Sequence, residues 1–276
     1  MSEDVERLYA LDIWPMDPYS EFSRKRFEAS IKIFDKLLEH EWFSSLLGKG
    51  KIRILEICAG TGIGGVALAK TLIDKGVDVE LLLTDLRRKD LEIGARWGSE
   101  VLNSPVNYLV MDCREIHKIN RWFEIVLMYG YSSPHFDPWD MLRIQASVCE
   151  CLEDDGIFLM EEGDRRYSIF YLTSYAKFLP EKVNNEKAIV SIHSDYDFYR
   201  GVFKRTYLNL RKPEESVIVD MYFWGLAELM AITWIFFKDV DIYEKTRGHG
   251  IIIGYKPRRK ISVVDIASNP RVLSKD

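Results

Sequence analysis

The run Ala59-Gly-Thr-Gly-Ile-Gly-Gly65 holds the residues of this chain best suited to grip a small ligand. Gly60 and Gly62 allow a tight turn and let the backbone approach a ligand where a Cβ would collide. A helix opening behind them presents unpaired N–H groups and a partial positive charge, an environment for a carboxylate or a phosphate. Asp85 follows about 20 residues past Gly65, at the end of the next apolar run, where it can accept hydrogen bonds from ribose hydroxyls. Glycine turn and acid together point to a ribose-bearing cofactor.

Two cofactor classes fit that much. Gly60-x-Gly62-x-x-Gly65 satisfies the dinucleotide fingerprint. Glu56, however, sets a carboxylate four positions before the first glycine. Beside a pyrophosphate it would repel the ligand, strongly so where water is excluded. A sulfonium cofactor with an α-amino group brings positive charge and gains from the same carboxylate. A sulfonium-dependent transferase is therefore the first reading, an NAD(P)-dependent oxidoreductase the second, and a non-catalytic cofactor-binding protein the third.

The surrounding pattern supplies the elements that must position these groups. Apolar strands are expected at Ile52–Cys58, Val79–Thr84, Val106–Met111, Phe123–Tyr129 and Ile157–Glu161. Helices alternate with them, from about Val66 to Lys75, over Arg88–Trp97, and from Asp137-Pro138 onward, where Asp caps and Pro fills the first turn. Such alternation predicts an α/β fold with a doubly wound, mostly parallel sheet covered on both faces. Ahead of it, Ser20 caps a helix whose Phe22, Phe27, Ile31, Phe34 and Leu38 share one face. Past Gly163 the pattern predicts a helix over Arg165–Phe178, a hairpin of Tyr199–Leu210 and Ser216–Phe223, a helix over Trp224–Phe237, and closing strands Val240–Glu244 and Gly250–Tyr255. The expected organisation is an N-terminal helical cap (1–50), a cofactor-binding half (51–163), an inserted helix and hairpin serving as an acceptor lid (164–223), and a C-terminal helix and strand pair (224–276).

Ile54-Leu-Glu-Ile-Cys-Ala-Gly-Thr-Gly-Ile-Gly64 resembles motif I of the class I S-adenosylmethionine-dependent methyltransferases. The similarity runs from about Ile52 to Glu162 and resumes over 224–256. It implies a Rossmann-like seven-stranded sheet whose last strand is antiparallel, S-adenosylmethionine as cofactor, and roles for matching positions. Gly60 and Gly62 would run under the methionine part, and Glu56 would hold its amino end. Asp85 would take the ribose hydroxyls, with Leu86 against the adenine. Asp112 would accept from the adenine amino group, unless it only caps the next helix, and Cys113 would offer its backbone N–H. Tyr129 and Gly130 would border the methyl group.

The methyl acceptor is less legible. Where base-methylating enzymes carry Asp/Asn-Pro-Pro-aromatic, this chain reads Gly130-Tyr-Ser-Ser-Pro-His-Phe136, and no cysteine stands there as a pyrimidine nucleophile. A small-molecule acceptor is expected. Methyl transfer from a sulfonium is an in-line displacement, so a base is needed only for hydroxyl or acidic carbon acceptors. Tyr131 and His135 are the leading catalytic candidates, with Asp137, His193 and Asp195 behind them. Aromatics at Tyr196, Phe198, Tyr199, Phe203, Tyr207, Tyr222, Phe223 and Trp224 could wall an apolar acceptor pocket, and Tyr9, Trp14, Pro15 and Tyr19 could lid the cofactor.

Composition narrows the partners. A net charge of −5 lacks the basic excess by which nucleic-acid binders neutralise phosphates. The clusters Arg24–Arg26 and Lys256–Lys260 read as a solvated face and a chain end. The acidic start has no apolar run behind it, no stretch approaches the ~18–20 apolar residues of a membrane span, and a cytoplasmic setting is expected. The four cysteines lack zinc-site spacing and read as free thiols, so no metal is expected. Oligomeric state leaves no mark on the sequence.

Overall fold

The computed structural model describes residues 2–274. Helix α1 (Ser2–Ala10) is followed by α2 (Glu21–Leu37), which Ser20 caps by accepting the Ser23 N–H at 3.2 Å. A short α3 (Ser44–Leu47) leads into β1 (Lys51–Ile57), α4 (Ile63–Asp74), β2 (Asp78–Asp85), α5 (Arg88–Leu102), β3 (Asn107–Val110), β4 (Phe123–Met128), α6 (Pro138–Cys151) and β5 (Leu152–Gly163). Four strands then form a separate unit: β6 (Phe178–Val183), β7 (Ala188–Asp197), β8 (Val202–Asn209) and β9 (Lys212–Met221). The chain closes with α7 (Leu226–Phe236), β10 (Phe237–Thr246) and β11 (His249–Pro257).

The main sheet has seven strands in the order β10-β11-β5-β4-β1-β2-β3. β1 to β5 run parallel, and β11 is antiparallel to both of its neighbours, as the resemblance implied. Both faces are covered, so successive strand residues serve different cores. Ile54 packs with Phe34 of α2 and Val66 and Leu68 of α4; its neighbour Leu55 packs with Met141, Ile144 and Val148 of α6 and Leu229 of α7. No helix among the described residues is long and apolar enough to cross a membrane.

The inserted segment departs from the sequence reading. The helix expected over Arg165–Phe178 forms in its first part only: Arg165 and Arg166 are α-helical and run on into a π-helix at Tyr167–Thr173. Its aromatic and β-branched residues are weak helix formers, and Phe170, Tyr171 and Leu172 stay exposed, so no buried stripe carries the helix on to Phe178. The expected hairpin is present as β8 and β9, but β6 and β7 precede it, giving a four-stranded antiparallel sheet. Ile189, Tyr207, Val217, Val219 and Met221 line its buried face, and α1 lays Leu8 against them, with Leu11 just beyond. The N-terminal helix is thus the cover of the inserted sheet.

Candidate active site

The carboxyl ends of β1, β4 and β5 open into a cavity of about 750 Å³, closed above by the inserted sheet and the N-terminal segment. Its floor is the glycine turn. Gly60 and Gly62 hold φ of 55° and 71°, and Gly62 caps α4 in the left-handed conformation. Those angles suit glycine and strain any other residue.

Glu56 lies on the cavity floor with 1% of its surface exposed. One of its oxygens accepts the Gly65 N–H at 2.9 Å. Burial pushes its carboxyl up to about 8, against the opposing pull of the Gly65 N–H and the Arg26 guanidinium. Arg26 reaches in from α2, 5.7 Å from the Tyr129 ring centroid, and has no ion pair among the described residues. The sequence reading left Arg26 on a solvated face. The structure turns it inward because Ser23, Ser30, Phe34 and Leu37 form the buried stripe of α2, and Arg26 lies on it. Two serines in that stripe were the available signal. Ser30 also bonds the Tyr129 hydroxyl at 2.9 Å.

Asp85 ends β2, with one oxygen accepting the Gly60 N–H at 2.7 Å. The other accepts from the Arg87 N–H at 2.9 Å and Arg87 Nε at 3.2 Å. The Arg87 guanidinium lies 3.8 Å from the Tyr9 ring centroid and pairs with Asp90 at 2.5 Å. A Cβ on Gly60 would stand 2.9 Å from both Arg87 Nη2 and Met16 Cε. Arg87, Tyr9 and Met16 therefore occupy the approach to Asp85. Behind them a small space of about 60 Å³ is bordered by Leu86, Asp112, Cys113 and Phe136. Asp112 caps the 3-10 turn Cys113–Ile119 by accepting the Arg114 N–H at 2.9 Å, and pairs with the Arg114 guanidinium at 2.5 Å. The capping role is thus present while the carboxylate still borders the space. Asp85→Ala should weaken adenosyl-ligand binding by about 1–3 kcal/mol, the scale of lost charge-assisted hydrogen bonds. Calorimetric titration with S-adenosylhomocysteine measures this, and parental affinity in the variant would remove Asp85 from the ribose role.

At the far end of the cavity the chain leaves β4 through Tyr129, Gly130 and Tyr131, the last two at φ of 105° and 62°. Trp224, 1% exposed, holds the following loop by donating its indole N–H to the carbonyls of Ser133 and Phe136 at 3.1 and 3.0 Å. The Gly130 N–H donates to Glu161 at 2.9 Å, and Glu161 also pairs with Lys245. The Tyr131 ring meets His249 edge-on at 5.9 Å. His249 stands opposite Gly163 in the β11–β5 ladder, and a Cβ there would come within 2.5 Å of its Nδ1, so Gly163 makes room for the imidazole. Burial and the nearby Glu161 raise the Tyr131 phenol, which is therefore neutral at physiological pH. His249 carries no signal in the sequence; only the strand pairing brings it here.

His135 lies apart from that group, 6.2 Å from Tyr9 and bordering both the cavity and the smaller space. Burial, then Arg165 and Arg87, lower its imidazole to about 4, so the ring is uncharged and a weak base. The remaining base candidates fall outside the cavity. Asp137 caps α6, accepting the Asp140 N–H at 2.8 Å, and pairs with Arg200. His193 is bonded to the Tyr175 hydroxyl at 2.9 Å, and Asp195 sits on the surface beside Lys204. Of the insert's aromatics proposed as pocket walls, Tyr207 lines the cavity, whereas Phe203 and Phe223 stack on one another at 4.7 Å. The roof is more charged than expected, since Glu181 and Arg205 share it. Tyr9, Trp14 and Pro15 do line the cavity, whereas Tyr19 is exposed and bonded to Glu100.

No protein-family model and no curated protein sequence matches the chain. Solved structures do. The crystal structure of the PH0226 protein from Pyrococcus horikoshii OT3 is 19% identical, with 91% of this chain and 98% of that one covered and a TM-score of 0.57. An S-adenosylmethionine-dependent methyltransferase from Clostridium acetobutylicum ATCC 824 is 12% identical, with 82% and 92% covered and a TM-score of 0.57. The sugar N-methyltransferase KedS8 from Streptoalloteichus sp ATCC 53650 is 15% identical, with 86% and 92% covered and a TM-score of 0.54. The chain has the Rossmann-like fold of the S-adenosylmethionine-dependent methyltransferases.

Proposed function

We propose that the chain is an S-adenosylmethionine-dependent methyltransferase that transfers a methyl group to a small-molecule acceptor by in-line displacement. The observation that carries this is that a buried Glu56 and an Arg26 with no ion pair among the described residues line one cavity above the glycine turn, close enough for Arg26 to act on the Glu56 carboxyl. A carboxyl that ionises against a ligand's ammonium and a guanidinium in the same cavity complement the two charges of an amino-acid moiety. A nicotinamide dinucleotide would instead set its pyrophosphate against Glu56, which costs rather than gains. The residues present fit the cofactor. Glu56 and Arg26 would hold its amino-acid end over Gly60 and Gly62. Asp85 would take the ribose, Leu86, Asp112 and Cys113 the adenine, and Tyr129 and Gly130 would border the methyl group. The cofactor supplies the electrophilic methyl carbon.

The acceptor's nucleophile would then lie near Tyr131, with His249 at hand to take its proton where it is a hydroxyl or a charged amine. His135, neutral and placed between the two spaces, serves as a hydrogen-bonding wall shared by cofactor and acceptor. Four thiols, none of them in a disulfide, accord with a cytoplasmic setting. S-adenosylhomocysteine at a hundred times its dissociation constant should add about 2.7 kcal/mol of stability. For a chain of this size that raises the thermal midpoint by roughly 5 °C or more. NAD and NADP should leave it unchanged, and a shift with NAD alone would reverse the assignment.

A further inference from the structure

The three cations at the acceptor end of the cavity differ in how well they are neutralised. Lys245 is closed on Glu161. Arg205 donates to Glu181 at 2.7 Å and to Ser191 at 2.8 Å. Arg165 is not closed in this way. Its carboxylate neighbour Glu162 stands 3.6 Å away and already accepts from the Ser133 hydroxyl and, at 2.9 Å, from the Gly163 N–H. Glu162 is wholly buried, and burial raises its carboxyl, which weakens it further as a counter-charge. The Arg165 Nε–H is buried and has no acceptor among the described residues, while 32% of the side chain stays open. A charged donor held away from water without an acceptor is unfavourable, so an anionic ligand that supplied one would be favoured.

Position adds to this. Arg165 follows the end of β5, its backbone fixed by a 2.9 Å bond to the Trp224 carbonyl, and its side chain lines the cavity. Arg205 enters the same cavity from β8, its guanidinium 5.4 Å from the Tyr207 ring centroid. Both cations act on the Tyr207 phenol and hold back the rise that burial gives it, which places them at one end of the roof. Arg26 enters from α2 beside Tyr129 and Gly130 and is assigned above to the cofactor's amino-acid end.

We propose that the methyl acceptor carries an oxyanion, a carboxylate or a phosphate, and that Arg165, seconded by Arg205, anchors it beneath the inserted sheet. This deepens the methyltransferase reading and rests on it for the word acceptor, though not for the anion site itself. Anchoring there holds the ligand in the same cavity as Tyr131 and His249, near which the methyl group would arrive. Arginine suits the task because its planar fork matches oxyanions in two contacts.

The test is a thermal-midpoint titration of the full chain with sodium phosphate and with sodium malonate, against sodium chloride at equal ionic strength, each with and without S-adenosylhomocysteine. At least one oxyanion should raise the midpoint above the chloride control with millimolar half-saturation; which one does so tells phosphate from carboxylate. The increment should vanish in Arg165→Ala, shrink in Arg165→Lys and persist in Arg26→Ala. Arg165→Lys keeps the charge and serves if the alanine variant folds poorly. Titration of S-adenosylhomocysteine into each variant reports cofactor binding separately, so failure of the methyltransferase reading and failure of the anion site are distinct results. No oxyanion increment in the parent, or the same increment in Arg165→Ala and Arg165→Lys, would overturn the proposal.

Discussion

Glu56→Gln is expected to weaken S-adenosylhomocysteine binding by about 2–3 kcal/mol, a loss of roughly 30- to 150-fold, while leaving the chain folded. The amide keeps the shape and can still accept the Gly65 N–H, but it no longer offers a charge to the ligand's ammonium group. The pH dependence is the sharper signature. In the free protein burial holds the carboxyl up near 8, so at neutral pH it is mostly protonated. An ammonium ligand needs the charged form. Affinity should therefore rise with pH toward 8, by up to about tenfold per unit, and the glutamine variant should show no such slope. Stability of the free protein runs the other way. A carboxyl raised from its ordinary 4.5 to about 8 contributes stability that is complete below 4.5 and lost as pH climbs through 8. Glu56→Gln should flatten that fall, which denaturant titrations at pH 6 and pH 8.5 would detect. A variant that binds like the parent at both pH values would remove Glu56 from the ammonium role.

Gly60→Val should abolish cofactor binding, by at least about a hundredfold. Gly60 sits at φ 55°, a conformation a β-branched residue adopts only with strain. The new side chain would begin 2.9 Å from Arg87 Nη2 and Met16 Cε. Both are ends of flexible side chains and can retreat, so the chain should still fold with a lowered midpoint. What cannot be recovered is the close approach of ligand to backbone. A folded variant, verified by near-ultraviolet circular dichroism, that retains tight binding would place the ligand elsewhere.

The glycine turn, Glu56, Asp85 and the run of parallel strands were legible because each is written in neighbouring residues. β1, its turn and α4 follow one another along the chain, and the apolar strands announce a sheet covered on both faces. What was not legible comes from distant segments. Arg26 looked like part of a surface cluster until the stripe of α2 turned it inward. His249 joins Tyr131 because β11 pairs with β5, and Lys245 comes with it on β10, the other strand of the closing hairpin; in sequence these segments are far apart. The inserted sheet was half seen. β8 and β9 alternate clearly, whereas the edge strand β6 is mostly exposed and has little periodicity to read. Arg87 lies two residues from Asp85, yet nothing in sequence says that its guanidinium folds back onto that carboxylate beneath Tyr9. The apolar acceptor pocket expected from the insert's aromatics gives way to a charged roof. Strand alternation alone did not reveal that Arg205 and Tyr207 would line the cavity while Phe203 and Phe223 stacked on each other.

The central claim is that Glu56 and Arg26 receive the amino-acid end of an adenosyl cofactor at the glycine turn. A crystal structure of the chain soaked or grown with S-adenosylhomocysteine tests it most directly. The expected result has the ligand's ammonium within hydrogen-bond distance of Glu56, its carboxylate at Arg26, and its ribose on Asp85, with the Arg87 guanidinium and Met16 displaced from Gly60. Density for the ligand away from Gly60, or its amino-acid end turned from Glu56 and Arg26, would contradict it.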